Sequence, residues 1–291
     1  MINIIKSYLT NSPCYKSKRV INVQGLMLHS VGCPQPNAQV FIKNWNNSSC
    51  EVGVHAFVDQ TGVYETLPCR EVTATSGPGK AHRAWHCGKG SKGSANNTHI
   101  SLEMTEPSCI KYISGATFTC SDYPKAQAHV KKVTENAVEY FAMLCIYHNL
   151  DPLGKNVIVS HKEGHDLGYS SGHNDPSHLW DQLHMNYTMD NFRQDVYQKV
   201  QELKYGVNNE EDDDNMDAKT FEKLFNEYRM TLRDNDHSKY SEEAMKWALE
   251  TGIIQGNGTI NGEPNTMAQD FMTREQLVTV LYRFAKLIGK A

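Results

Sequence analysis

The chain has 291 residues, 21 % of them charged, with a formal net charge of −4 at pH 7. That length allows one large domain or two smaller ones, the mild negative balance gives no reason to expect nucleic acid as a partner, and no apolar run approaches the roughly 20 residues of a membrane span. The start, Met1-Ile2-Asn3-Ile4-Ile5-Lys6, has no basic leader, long apolar core or small-residue cleavage site, so the chain is expected to be made in the cytoplasm without a signal peptide. All eight cysteines lie in the first half, without a Cys-x-x-Cys pair, and free thiols are expected.

In chain order, Gly25 to His29 reads as a buried strand. Gly53 to Asp59, the turn Gln60-Thr61-Gly62 and Val63 to Leu67 read as a hairpin with Gly in the turn. Thr98 to Met104 is a further strand. Lys125 to Tyr147 carries Val130, Val133, Ala137, Phe141, Leu144 and Cys145 at helical spacing, which predicts a helix packing one apolar face on the sheet. Val157 to Ser160 is a short strand that delivers His161, and Asp190 to Leu203 is a closing helix. The sum is α/β, a mixed central sheet flanked by helices.

The composition breaks between Gly206 and Asp217, a run with six acids and no base that cannot bury a core and reads as a linker. It divides the chain into residues 1–205, the tether 206–217, and a small helical module over 218–291. Within the module, Ser241-Glu242-Glu243-Ala244 resembles a capping box opening a helix to Thr251 with Ala244, Trp247 and Ala248 as its stripe. Thr273-Arg274-Glu275-Gln276 opens another, with Leu277, Val280, Leu281 and Phe284 on one face. Met216 offers an internal start that would yield the module alone.

His29, His161 and Asp175 carry the chemistry. Each is expected at the end of a short apolar run, where a strand would hold it rigidly, and two imidazoles with one carboxylate are the donors of a catalytic zinc, with a fourth position left for water. A helical zinc-protease motif needs Glu directly after its first His; in His161-Lys162-Glu163-Gly164-His165 the acid is one place too late. The Gly/Ser-rich loop from Gly168 to Gly172 instead lets Asp175 fold back toward His161. His173 as the third ligand, oriented by Asp175, stays open. Asp234-x-Asp236-x-Ser238 lacks the Gly and Glu of a calcium loop.

Residues 1 to about 204 resemble the zinc-dependent N-acetylmuramoyl-L-alanine amidases of the type-2 family, which share a fold with phage T7 lysozyme and the peptidoglycan recognition proteins. The resemblance is closest to the amidase domains of phage endolysins. It rests on Tyr8-Leu9-Thr10 with Cys14-Tyr15, Leu28-His29-Ser30, Gly53-Val54-His55-Ala56-Phe57, and His82-Arg83-Ala84-Trp85-His86-Cys87-Gly88. Asn96 through Glu103, Ser160 through His165 and His173-Asn174-Asp175 complete it. It implies Zn2+ at His29, His161 and Asp175, where many members have Cys in place of the Asp. Some relatives have a Tyr where Val54 stands and lack the acid that is Glu103 here, so Glu103 is assigned as general base. Many members place a Lys where His173 stands, so His173 is assigned to the oxyanion. Trp85, His86 and Asn97 are candidates for the substrate groove, and His55 for a brace.

The implied reaction is hydrolysis of the amide between N-acetylmuramic acid and L-alanine in bacterial peptidoglycan. The tail, with Ala244-x-x-Trp247-Ala248, Gly252-Ile253-Ile254-x-Gly256 and Met272-Thr273-Arg274-Glu275-Gln276, is similar to one S-layer-homology repeat. It implies binding to a wall polysaccharide, with Thr273 and Arg274 as candidate contacts. Because such repeats commonly come in threes, a single one implies self-association. The expected whole is a phage endolysin, a bacteriolytic protein made in the host cytoplasm and acting on the cell wall. A non-catalytic peptidoglycan-recognition protein and a bacterial autolysin or muropeptide amidase stay open as alternatives.

Overall fold

In the computed structural model, which describes residues 2–205, 218–232, 237–260 and 262–290, six strands form the central sheet of the first part of the chain. The elements in order are β1 (Ile4–Lys6), α1 (Pro13–Lys16), β2 (Val20–Asn22), β3 (Gly25–Ser30), α2 (Ala38–Trp45), β4 (Ala56–Asp59), β5 (Gly62–Glu65), β6 (Lys80–His82), β7 (His99–Met104), β8 (Ile110–Ser114), β9 (Thr117–Cys120), α3 (Tyr123–His148), β10 (Ile158–Ser160), α4 (His161–Asp166), α5 (Ser177–Gln182) and α6 (Met189–Tyr205). The sheet order is β1-β5-β4-β7-β3-β10. Only β4 and β5 run antiparallel within it, so the sheet is mixed, as expected.

Alternation along β3 separates core from site. Leu26 and Leu28 join Ile100, Leu102 and the buried stripe of α3, Val130, Val133, Ala137 and Phe141, in one apolar cluster. Met27 and Val159 cluster on the other face, the face to which His29 also belongs. Each fully buried residue such as Phe141 contributes about 1.5–3 kcal/mol. α3 starts where Asp122 accepts from the Lys125 N–H, with Pro124 in the first turn, and stops at Asn149 in the left-handed region.

The expected hairpin is present, with a shorter first strand. Gly53 bridges to Trp85, while His55 keeps contact with both neighbours, its N–H donating to the Ser101 carbonyl on β7 and its carbonyl accepting from the Thr66 N–H. Gly62, at φ 153°, lies so close to the Asn3 carbonyl that a Cβ there would sit 2.4 Å from its oxygen. That close approach lets β1 pair in parallel with β5.

The chain divides into two compact units, Met1–Asn208 and Asn209–Ala291. The acidic run 206–217, Met216, and the acids Asp234 and Asp236 lie outside the described residues. The second unit holds α7 (Ala218–Thr231), α8 (Glu242–Glu250), the two-residue strands β11 (Thr259–Ile260) and β12 (Glu263–Pro264), and α9 (Arg274–Leu287). The capping box expected at Ser241 is absent. Ser241 is already helical, in a 3-10 turn over Lys239–Ser241, and its hydroxyl donates back to the Ser238 carbonyl. At α9 the box is present: Thr273 Oγ1 accepts from the Gln276 N–H and Gln276 Oε1 from the Thr273 N–H. Leu277, Leu281 and Phe284, expected to pack one face, are exposed. No helix among the described residues is long and apolar enough to cross a membrane.

Candidate active site

Three segments converge at the C-terminal ends of β3 and β10. His29 sits near the end of β3, and His161 is the first residue of α4, directly after β10. α4 is a six-residue helix, sharply started by a capping box in which Ser160 Oγ accepts from the Glu163 N–H and Glu163 accepts from the Ser160 N–H. Arg193 on α6 holds the same Glu163 carboxylate through both guanidinium Nη atoms, so His161 rests on a fixed turn. Gly164 lets that turn approach the sheet, since a Cβ would meet Met27 Cε at 2.6 Å.

His29 Nδ1 and His161 Nδ1 lie 3.1 Å apart. Asp175 Oδ2 is 3.2 Å from the first and Asp175 Oδ1 is 3.3 Å from the second. All three ligand atoms fall within 4.8 Å of one another and could hold a metal ion. Tetrahedral zinc with bonds of about 2.0–2.1 Å separates neighbouring donors by about 3.3 Å, so the donor set and its spacing fit that ion. Burial would raise the proton affinity of Asp175, but the two imidazoles more than offset it and hold its carboxyl well below the usual range. Burial lowers the pKa of His29 despite the neighbouring carboxylate, which keeps the ring neutral and able to ligate.

Glu103 stands opposite His29 in register on β7. Its Oε2 is buried and has no hydrogen-bond partner among the described residues. Burial, followed by the charges of Asp175 and Glu106, pushes its carboxyl well above the usual range. A basic carboxylate on the ligand face of the sheet suits the transfer of a proton at the ion.

Behind His29 stands His86, whose Nδ1 is 2.9 Å from His29 Nε2. With His29 Nδ1 turned to the ligand set, His29 Nε2 carries the proton and donates to His86 Nδ1. Burial and the neighbouring His29 lower the pKa of His86 far enough to leave it neutral, and its Nε2 is buried without a partner among the described residues. His55 braces this layer. It accepts the Ser101 N–H at Nδ1 and donates from Nε2 to the His82 carbonyl, with burial lowering its pKa to about 3.

His173 is near the set but outside it. Its ring centroid is 4.5 Å from that of His161, its Nδ1 is 3.9 Å from Asp175 Oδ1, and its side chain is 62 % exposed. Trp85 is 43 % exposed. Asn97 accepts from Arg83 Nε at 2.8 Å. Thr273 and Arg274 belong to the second unit, Thr273 as the cap of α9 and Arg274 as its exposed first residue.

Sequence reasoning missed a brace. Glu106 is fully buried, its Oε1 accepts from the Gly32 N–H and its Oε2 accepts from Tyr112 Oη at 2.7 Å. Tyr112 Oη in turn lies 2.7 Å from His178 Nε2 on α5. One carboxylate thus ties the loop after His29 to the segment after Asp175. The signal was an acid just past a strand end, but its partners are recognisable only in the fold.

Residues 19–178, more than half of the chain, match the N-acetylmuramoyl-L-alanine amidase family, Amidase_2. The chain belongs to this family. It is accordingly an amidase whose substrate is peptidoglycan. No curated protein matches the chain. Similar solved structures include the Staphylococcus aureus hydrolase AmiA in complex with its ligand, at 20 % identity over 69 % of this chain and 84 % of that one, with a TM-score of 0.49. A mutant endolysin from Bacillus subtilis is 21 % identical over 67 % of this chain and 99 % of that one, with a TM-score of 0.45.

Proposed function

We propose that this amidase cuts the bond between the lactyl carbonyl of N-acetylmuramic acid and L-alanine with the help of a zinc ion held by His29, His161 and Asp175. The observation that carries the reading is the convergence of these three buried donors on one point, facing the orphaned carboxylate of Glu103. Bound zinc supplies a Lewis acid that polarises the carbonyl and brings the pKa of water toward about 7. Glu103 takes the proton from the attacking water and delivers it to the departing L-alanine amine. His173, exposed beside His161, donates a hydrogen bond to the carbonyl oxygen as charge develops there. His86 holds the tautomer of His29, and Trp85 and Asn97 flank the groove that takes the substrate.

The reading extends to the whole chain: an endolysin-type protein in which residues 206–217 tether a wall-binding module. Support for the module comes from its sequence likeness to one S-layer-homology repeat and from the exposed Arg274. The apolar side chains that α9 exposes support self-association of that unit.

Mass spectrometry of purified wall digested with the wild type and with Glu103→Ala tests the bond. New N-terminal alanine from the wild type alone is expected, together with about one zinc per chain by elemental analysis. Release of reducing sugar, or of a cross-link fragment, would refute the bond assignment.

A further inference from the structure

Beside Trp85 the first unit carries a pocket of about 400 Å³, lined by Arg83, Lys89, Ser94, Asn96 and Asn97 with glycines between them. No acid lines it among the described residues. Arg83 Nε donates to Asn97 Oδ1 at 2.8 Å, but Arg83 Nη1 is buried and has no partner among the described residues. The guanidinium carbon lies 5.3 Å from the centroid of the Trp85 ring, so one face of the group is stacked while Nη1 stays unpaired among the described residues. Burial and the like charge of Arg19 both lower the proton affinity of Arg83. A partly buried cation with an unspent donor and a second cation beside it is costly unless an anion completes it.

The pocket shares a wall with the reaction centre. Asn96 lines it, and Asn96 Oδ1 accepts from the backbone N–H of both His86 and Cys87. Arg83 is three residues from His86, a span of at most about 10 Å of chain, and His86 touches His29. The pocket thus adjoins the segment that carries His86 to His29.

We propose that this pocket is an anion subsite in which Arg83 and Lys89 hold a carboxylate of the peptide stem. The assignment rests on the amidase reading and adds to it a preference for stems with a free carboxylate. A planar carboxylate matches the fork of the guanidinium, of which Asn97 occupies only Nε. Phosphate of a wall polymer shares this chemistry, and the test must separate the two sources.

The full chain is assayed on two synthetic N-acetylmuramoyl-peptides that differ only in whether the stem carboxylates are free or amidated, with glycerol phosphate as competitor. The wild type should favour the free acid by about 10- to 100-fold in kcat/KM, chiefly through KM. Arg83→Ala should abolish the preference by weakening the free acid alone, Arg83→Lys should restore part of it, and Lys89→Ala should reduce it several-fold. Lys89 is exposed, so its substitution keeps the test open should the Arg83 variants fail to fold. Equal loss on both substrates, or no preference in the wild type, would overturn the subsite while leaving the amidase reading intact. Inhibition of the wild type by glycerol phosphate without a carboxylate preference would transfer the pocket to a polymer phosphate and also overturn it. Cleavage of neither substrate by the wild type would overturn the amidase reading and the stem assignment together.

Discussion

His86 Nδ1 stands 2.9 Å from His29 Nε2, and this contact fixes which nitrogen of His29 faces Asp175 and His161. Hydrogen bonds behind metal-ligating histidines commonly govern metal retention. His86→Ala is expected to weaken zinc binding by about 10- to 100-fold, read by competition with a chromophoric chelator. Unchanged affinity in a folded variant would remove His86 from the metal's support.

Glu103 should separate chemistry from metal binding. Its carboxylate faces the ligands from the neighbouring strand without bonding to them. Glu103→Gln is expected to lower kcat by about 10²- to 10⁴-fold while zinc content stays at the wild-type level. A variant that loses its zinc would make Glu103 part of the metal's support rather than the base.

Glu106 sets a pH dependence of stability. Burial pushes its carboxyl up to about 7, against an ordinary value near 4.5. Between those values the unfolded chain has released a proton that the folded chain keeps, so stability falls as pH rises through this window. The loss amounts to about 3 kcal/mol by pH 7. Melting temperatures of the wild type and Glu106→Gln across pH 4.5 to 7.5 should diverge in slope, the variant being flatter. Parallel curves would mean that Glu106 ionises alike in both states.

The second unit makes a separate prediction. In α9 and its C-cap residue the exposed side chains Leu277, Leu281, Phe284 and Ile288 follow a 4-3-4 spacing, the seam by which helices pair. Its buried hydrophobic residues among those described are Ala248 and Ile253, a small core for such a unit. Light scattering should give a mass above the 32.9 kDa of one chain, and Leu281→Glu should return it to that value. A monomeric wild type at tens of micromolar would rule the pairing out.

Legibility followed periodicity. β3, β7, β10 and α3 were readable because their buried faces impose the spacing of apolar residues, and those strands carry His29, Glu103 and the approach to His161. β8 and β9 were not, because their mostly exposed, irregular hairpin needs no alternation. Arg83 and the Glu106–Tyr112–His178 brace stayed hidden for a different reason. Their meaning lies in an unpartnered nitrogen and in two contacts across loops, which no local spacing encodes. α9 was read as amphipathic, yet its apolar side chains are exposed, because periodicity states that a face is apolar and not what covers it.

Asp175 follows His29 by 146 residues, and the two meet only because β10 is laid against β3. A nascent chain therefore lacks part of this donor set until Asp175 has left the ribosome, and on the proposed zinc reading a product terminated earlier should be inert toward the polymer.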